Sequence, residues 1–149
     1  MAITQAMATS FKVEILDGIH NFGVGVVRAS TAADTFKIAL YTSAATLDAT
    51  TTVYTTSGEV VGTGYTAGGN TLAVSVVPVS SGTTAYLSFT NSSWSTATIT
   101  ARGAMIYNST QGNKCVAVLD FGADKVSTAG TFTIVFPTAA AGTAIIQIA

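Results

Sequence analysis

Turn-forming residues divide most of the chain into short segments that have the sequence patterns of β-strands. Residues Asp34 to Thr42 alternate, with Phe36, Ile38 and Leu40 on one face of the predicted strand. The same reasoning predicts strands at Glu59–Val61, Thr71–Val79, Thr84–Thr90, Thr96–Ala101, Ala104–Asn108, Lys114–Phe121, Thr131–Phe136 and Ala144–Ile148. The predicted turns between them include Arg102–Gly103 and Gly122–Gly130. Closely spaced short strands predict a mainly β fold, an antiparallel β-sandwich or jelly roll.

Two places among these strands constrain the backbone. Pro78 stands inside Thr71–Val79, and because proline has no N–H to donate to a neighbouring strand, we expect an edge strand or a bulge there. Residues Gly62 to Asn70 are rich in glycine, but they lack both the Gly-Lys-Ser/Thr ending of a phosphate loop and the third glycine of a dinucleotide-binding loop. We therefore interpret this segment as a turn whose glycines supply positive φ angles.

One helix is predicted, near the N-terminus, from Ser10 to Phe22. Ser10 can cap its first turn and Gly23 can end it. Phe11, Ile15, Ile19 and Phe22 recur at helical spacing and form one apolar face. Because an isolated helix of this length is marginal in water, that face must dock on the domain or on a neighbouring subunit. The chain is thus predicted to be one β-rich domain over residues 1–149, with an N-terminal arm and helix in residues 1–23, and these four side chains are candidate interface residues.

Charged side chains are scarce. The 149 residues include six Lys and Arg and seven Asp and Glu, about 9% of the chain against roughly 25% in soluble domains. A net charge of −1 without any basic run excludes electrostatic binding to nucleic acid or to an anionic membrane. Instead, 26 Thr and 13 Ser supply the polar surface. Low charge repulsion favours association, so we expect an assembly subunit that forms a homo-oligomer.

Because charges are so few, each is expected to have a specific role. Pairing, or a position at a subunit contact, is predicted for Lys12, Glu14, Arg28, Lys37, Glu59 and Arg102.

The longest charge-free stretch, Val60 to Ala101, is interrupted by Gly, Ser, Thr and Asn too often to be a transmembrane helix. Residues Met1 to Ser10 lack the features of a secretory signal, so synthesis in a cytosol is expected. One Cys, Cys115, and one His, His20, cannot build a Cys/His metal site, and no cofactor is expected.

The sequence offers little for catalysis. Asp120 and Asp124, followed by Lys125, are interpreted as a solvated turn with a local ion pair. His20 lies near the predicted helix end, and no Gly-x-Ser-x-Gly motif presents a nucleophile. We therefore expect a protein that is not an enzyme.

Trp94 and Tyr107 have two interpretations. They could anchor an interface, as aromatic side chains often do, and they are included among the candidate interface residues. Packing in the core of the domain or on its sheets is the more favoured alternative, because an aromatic ring buries so much area.

Five segments together resemble a family of small structural proteins of tailed-bacteriophage virions. They are Ser10–Phe22 (SFKVEILDGIHNF), Asp34–Ser43 (DTFKIALYTS), Gly62–Gly69 (GTGYTAGG), Ala101–Asn108 (ARGAMIYN) and Ala117–Gly122 (AVLDFG). Among phage proteins of this size, capsid cement or decoration proteins are the nearest type. The resemblance implies a non-enzymatic protein made in the host bacterial cytoplasm and built into the virion, with the major capsid protein as its partner. It supplies no catalytic residues.

Alternatives remain open. The chain could instead be a tail, neck or fibre component with tail proteins as partners. From a different class, a carbohydrate-binding β-sandwich could use Tyr65, Trp94 or Tyr107 as stacking platforms for a glycan.

Overall fold

The computed structural model describes residues 3–8, 11, 15, 19–24, 32–82 and 84–149. The strands in this part of the chain are β1 (Ala6–Met7), β2 (Phe36–Tyr41), β3 (Asn70–Leu72), β4 (Val74–Ser81), β5 (Thr84–Phe89), β6 (Ser92–Asn108), β7 (Lys114–Ile134) and β8 (Ile146–Ile148). They form a five-stranded sheet in the order β1-β7-β6-β2-β3 and a three-stranded sheet in the order β4-β5-β8. All strand pairs are antiparallel, so the predicted mainly β, antiparallel class is confirmed.

The two longest strands pair with each other. β6 and β7 form a hairpin whose register runs from Asn108↔Lys114 to Ser92↔Ile134. The turns predicted at Arg102–Gly103 and Gly122–Gly130 are therefore wrong, since both lie inside strands. The register shifts between Gly103↔Asp120 and Ala101↔Lys125. The turn-forming residues around Gly122 (φ +75°) therefore form a bulge within β7. Long-range pairing overrides the local preference for a turn.

The predicted strand Thr71–Val79 is two strands that belong to different sheets. β3 pairs with β2 in the five-stranded sheet, whereas β4 pairs with β5 in the three-stranded one, and Ala73 lies between them. The expectation for Pro78 is confirmed, because β4 is an edge strand whose register shifts between Val76 and Val79.

The structure does not show the predicted N-terminal helix. Residues 10, 12–14 and 16–18 of the predicted span lie outside the described residues. Phe11 and Ile15 have helical backbone, but residues 19–22 belong to no helix or strand, so the prediction of a helix that reaches Phe22 is wrong. The physical reason lies in tertiary contacts: the backbone N–H of Asn21 donates to the carboxylate of Asp34, and Asp34 N–H donates to the carbonyl of Asn21. These two bonds fix Asn21 against Asp34, thirteen residues further along the chain, in place of helical bonds.

Aromatic rings join the two sheets. Phe36 of β2 stacks on Phe22 with ring centroids 4.4 Å apart, and it also contacts Phe89 of β5 at 5.9 Å. Phe89 in turn contacts Phe136 at 5.9 Å. The buried core takes side chains from both sheets, including Ile38, Leu40, Ile106, Val116 and Val118 from the larger one and Leu87 from the smaller one. One continuous core therefore underlies both sheets.

Candidate functional site

A buried carboxylate, Glu59, lies among tyrosine side chains at one end of β2. Tyr54 Oη donates to Glu59 Oε2 at 2.6 Å, and Tyr65 Oη donates to Glu59 Oε1 at 2.6 Å. The backbone N–H of Gly68 also donates to Oε1, at 2.7 Å. Glu59 is only 8% exposed, and no ion pair to it is found in the part of the chain that the structure describes. Neutral donors therefore solvate this charge.

Two further tyrosines complete this group, which we call the tyrosine cluster: Tyr41, Tyr54, Glu59, Tyr65 and Tyr107. Tyr107 Oη donates to the carbonyl of Gly68 at 2.8 Å, and Tyr41 Oη donates to the carbonyl of Thr55 at 2.6 Å. Tyr65 Oη accepts the N–H of Leu40 at 2.9 Å, and the rings of Tyr54 and Tyr107 stack at 4.8 Å. The cluster thus fastens the loops on both sides of Glu59 to β2 and β6.

Burial, followed by the neighbouring Glu59 carboxylate, raises the pKa of Tyr41 and Tyr107 above the ordinary value. Burial and the hydrogen bond to Glu59 likewise raise the pKa of Tyr54 and Tyr65. All four phenols therefore stay protonated and act as donors at neutral pH. The cluster offers neither an ionised phenol nor a carboxylate oxygen free of donors. Its hydrogen bonds hold the neighbouring loops in place.

The glycine-rich loop has the conformation that the sequence predicts. Gly64, Gly68 and Gly69 have φ angles of +79°, +89° and +67°, which confirms a turn built on positive φ. Gly69 also lies so close to the Ile38 carbonyl that a Cβ atom would collide with it. The sequence singled out this loop as a turn but gave no sign that Glu59 holds it. Four of the five tyrosines belong to the cluster, which only the folded structure reveals.

Most of the predicted interface side chains pack against this chain itself. Phe11, Phe22, Trp94 and Tyr107 are buried, and Ile15 and Ile19 are half-buried. Packing within the domain was the alternative that the sequence analysis left open for these six side chains. Their role at an interface stays a prediction. Tyr107 and Trp94 expose only 3% and 4% of their surface, so their rings are not available to stack on a glycan.

His20 belongs to a buried polar network. Its Nδ1 lies 3.0 Å from Asn108 Nδ2, which also donates to Asp34 Oδ2 at 2.8 Å. Gln111 Nε2 donates to Asp34 Oδ1 at 3.2 Å. The network links residues 19–24 to the end of β6 and serves a structural role.

Pairing is confirmed for Arg102, whose Nε donates to Asp120 Oδ1 at 3.1 Å between β6 and β7. Glu59 accepts hydrogen bonds from neutral donors instead, and neither Glu59 nor Lys37 has an ion pair among the described residues. The turn predicted around Asp120, Asp124 and Lys125 is wrong, because all three lie within β7. The N–H of Gly122 and then the Arg102 guanidinium lower the pKa of Asp120. Lys12, Glu14 and Arg28 lie outside the described residues.

An apolar cleft of about 500 Å³ lies between residues 20–24 and the outer part of the three-stranded sheet. Its lining includes Asn21, Val24, Val77, Ala85, Leu87 and Ile148. No Asp, Glu, Lys or Arg is among its described lining residues. Val24 is 81% exposed there, and Val77 and Ile148 are about half exposed. The cleft is therefore the candidate functional site for contact with another molecule, which sequence reasoning missed because strand pairing and residues 20–24 bring its walls together.

Cys115 is buried, as expected for a small apolar side chain. Across the described ranges, no group of three or more His, Cys, Asp or Glu residues could hold a metal ion. The same ranges contain no helix with the length and hydropathy to span a membrane.

Comparison with models of known families, with curated proteins and with solved structures finds no match to this chain. The resemblance to phage virion proteins therefore stays a prediction.

Gly69→Ala should destabilise the protein strongly, because a Cβ would strike the Ile38 carbonyl at a positive φ. Gly112→Ala is the matched control, since Gly112 has a similar φ of +65° with open space around its Cβ position. We expect Gly69→Ala to cost about 2–3 kcal/mol more than the control in urea unfolding. Equal costs would contradict the close approach.

Glu59→Gln should cost about 1–3 kcal/mol, because an amide N–H₂ would face donors that now share a carboxylate. Hydrogen exchange should show the loss of protection concentrated in residues 60–69. Asp48→Asn is the control, since among the described residues the Asp48 carboxylate accepts hydrogen bonds from Thr50 alone, in an exposed turn. If both variants behave alike, Glu59 does not clamp the loop.

Alkaline titration should separate the clustered tyrosines from free ones. Their folded-state pKa values are raised, so their stabilising effect is complete below the unfolded-state pKa of about 10 and is lost as pH rises above it. We expect tyrosinate absorbance from these four side chains to appear only with unfolding, as followed by circular dichroism. Reversible ionisation of all five tyrosines near pH 10 in folded protein would contradict this.

Proposed function

We propose that the chain is a non-enzymatic structural protein of a phage virion, of the capsid cement or decoration type, with the major capsid protein as its partner. The observation that carries the proposal is a surface almost without charge that also contains an exposed apolar cleft. The five segments that resemble phage virion proteins supply its biological setting. In this proposal the protein is made in the host cytoplasm and ends in the virion.

The physical argument concerns repeated copies on a lattice. Neighbouring copies with a net charge of −1 repel one another weakly, so they can lie close together as a small oligomer. Thr and Ser lose less side-chain entropy at a contact than Lys, Arg or Glu, which lose about 1.5–2 kcal/mol each. A surface of this composition is therefore suited to continuous contact with other protein.

The proposed architecture is a β-sandwich in which the two sheets pack face to face. The contact between Phe36 and Phe89 across the sheets supports it. A rigid domain of this kind can span neighbouring capsid subunits and bind only the assembled lattice. Such selective binding stabilises the lattice by linkage.

Cryo-electron microscopy of the virion tests this proposal. We expect density for the chain on the outer head lattice, in contact with the major capsid protein. Heads without the chain should release DNA at a lower temperature than complete heads. Density confined to the tail, neck or fibres would replace the cement role with the alternative one, and absence from the virion would overturn the whole proposal.

A further inference from the structure

The last part of β7 has a hydrogen-bonding edge that no described strand covers. β7 pairs with β6 along one side, whereas along its other side β1 covers only Ala117 and Val118. Beyond Val118, no backbone–backbone hydrogen bond joins that other side to the residues that the structure describes. In an antiparallel pair, every second residue points its N–H and C=O away from the neighbouring strand. This side of β7 therefore presents groups to which another strand can bond.

Much of this side has features that discourage strand pairing. Residues 120–130 contain charged side chains, shifts of register with β6 and Ala129 at a φ of +49°. Residues 131–135, which we call the open edge, have no charge, no Gly, no Pro and no positive φ. The open edge ends where the N–H of Phe136 donates to Asn91 Oδ1. Its composition of Thr, Phe, Ile and Val is that of a β-strand.

The side chains of the open edge alternate between the core and solvent. Phe132 and Ile134 are buried, whereas Thr131, Thr133 and Val135 are exposed on the opposite face. An open groove of about 440 Å³ lies along residues 132–135. The described chain therefore leaves space beside the open edge for a further strand.

Symmetry restricts how two copies of the open edge can pair. Directly opposite side chains lie on the same face of a sheet, so a two-fold axis perpendicular to the sheet must place one residue opposite its own copy. An axis at Phe132 would bring Ala129, with its left-handed backbone, into the pairing. An axis at Ile134 would bring in Pro137, which has no N–H to donate. An axis at Thr133 aligns the whole open edge and nothing else.

The pairs that this axis creates are favourable ones. Phe132 lies opposite the second copy's Ile134, and an aromatic ring opposite a β-branched side chain stabilises a sheet. Thr133 lies opposite its own copy, where two hydroxyls can hydrogen-bond, and no like charges meet. We propose that the open edge pairs antiparallel with the open edge of a second copy of this chain, about a two-fold axis at Thr133. The inference goes beyond the proposed function, because it concerns two copies in solution and no other protein.

Disulfide trapping of the full chain tests both the edge and the register. Thr133→Cys places two cysteines directly opposite each other with Cα atoms about 4.5–5.5 Å apart, which suits a disulfide. Thr131→Cys is the matched control, since it is exposed on the same face but lies about 13 Å from its own copy. Cys115 is buried in both variants. With oxidised glutathione, we expect the disulfide-linked dimer to form at least about tenfold faster for Thr133→Cys.

Sedimentation equilibrium measures the pairing without a cross-link. We expect the unmodified chain to show a monomer–dimer equilibrium. Thr133→Lys should raise the dissociation constant at least about tenfold, because it places two like charges directly opposite each other. Val61→Lys, at a site 96% exposed and outside β7, should leave the constant unchanged.

Other outcomes would overturn the inference. These are an unmodified chain that stays monomeric at every concentration, equal trapping at the two positions, or equal effects of the two lysine variants. Amide signals of the open edge that shift only when a capsid protein is added would assign this edge to that partner instead. A dimer formed by a chain that is absent from the virion would keep the inference and overturn the proposed function. A virion protein that is monomeric in solution would do the reverse.

Discussion

The pairing of β6 with β7 is the constraint on which the rest of the structure depends. The two strands span 17 and 21 residues and form the centre of the larger sheet. β2 pairs with the half of β6 near the hairpin turn, while the glycine-rich loop bridges the other half at Thr63↔Thr98. The Thr98 N–H donates to the Thr63 carbonyl at 2.9 Å, so the loop continues the sheet where β2 ends. Without the hairpin, β2 would keep only its short pairing with β3, and the loop would lose its bond to Thr98.

The tyrosine cluster offsets the entropic cost of ordering the glycine-rich loop beside β6. A loop with several glycines loses much conformational entropy when it is ordered, and it has few side chains to pack. Glu59 and the phenols hold the loop through short hydrogen bonds. A hydrogen bond to a charged acceptor is stronger than a hydrogen bond between neutral groups. A buried carboxylate that has no ion pair among the described residues is tolerated because three donors converge on it. In a chain with so few charges, this carboxylate therefore has a structural use.

The sequence predicted what depends on local patterns and missed what depends on distant partners. β2 and β5 match predicted strands, Pro78 lies on an edge strand and the glycine-rich loop has positive φ angles. Gly122, by contrast, has the composition of a turn but lies in a bulge, because β6 supplies a partner on both sides of it. The change of sheet at Ala73 leaves no mark in the sequence, since both flanking segments are strand-forming. The apolar cleft is likewise assembled from segments far apart in the chain, and the tyrosine cluster joins Tyr107 to residues 41–68.

Because charged side chains are scarce, the Thr and Ser hydroxyls also take part in ordering the loops. Many of their hydroxyls bond to the chain's own backbone: Thr42 Oγ1 donates to the Gly58 carbonyl, and Ser109 Oγ donates to that of Thr35. Thr110 Oγ1 in turn accepts the N–H of Thr35. These bonds order the loops without long charged side chains, so in the proposed function a partner would meet a surface that is already organised, and binding would cost less entropy. Such a surface would discriminate between partners by shape and apolar contact, because it has few charges to attract the right partner or repel the wrong one.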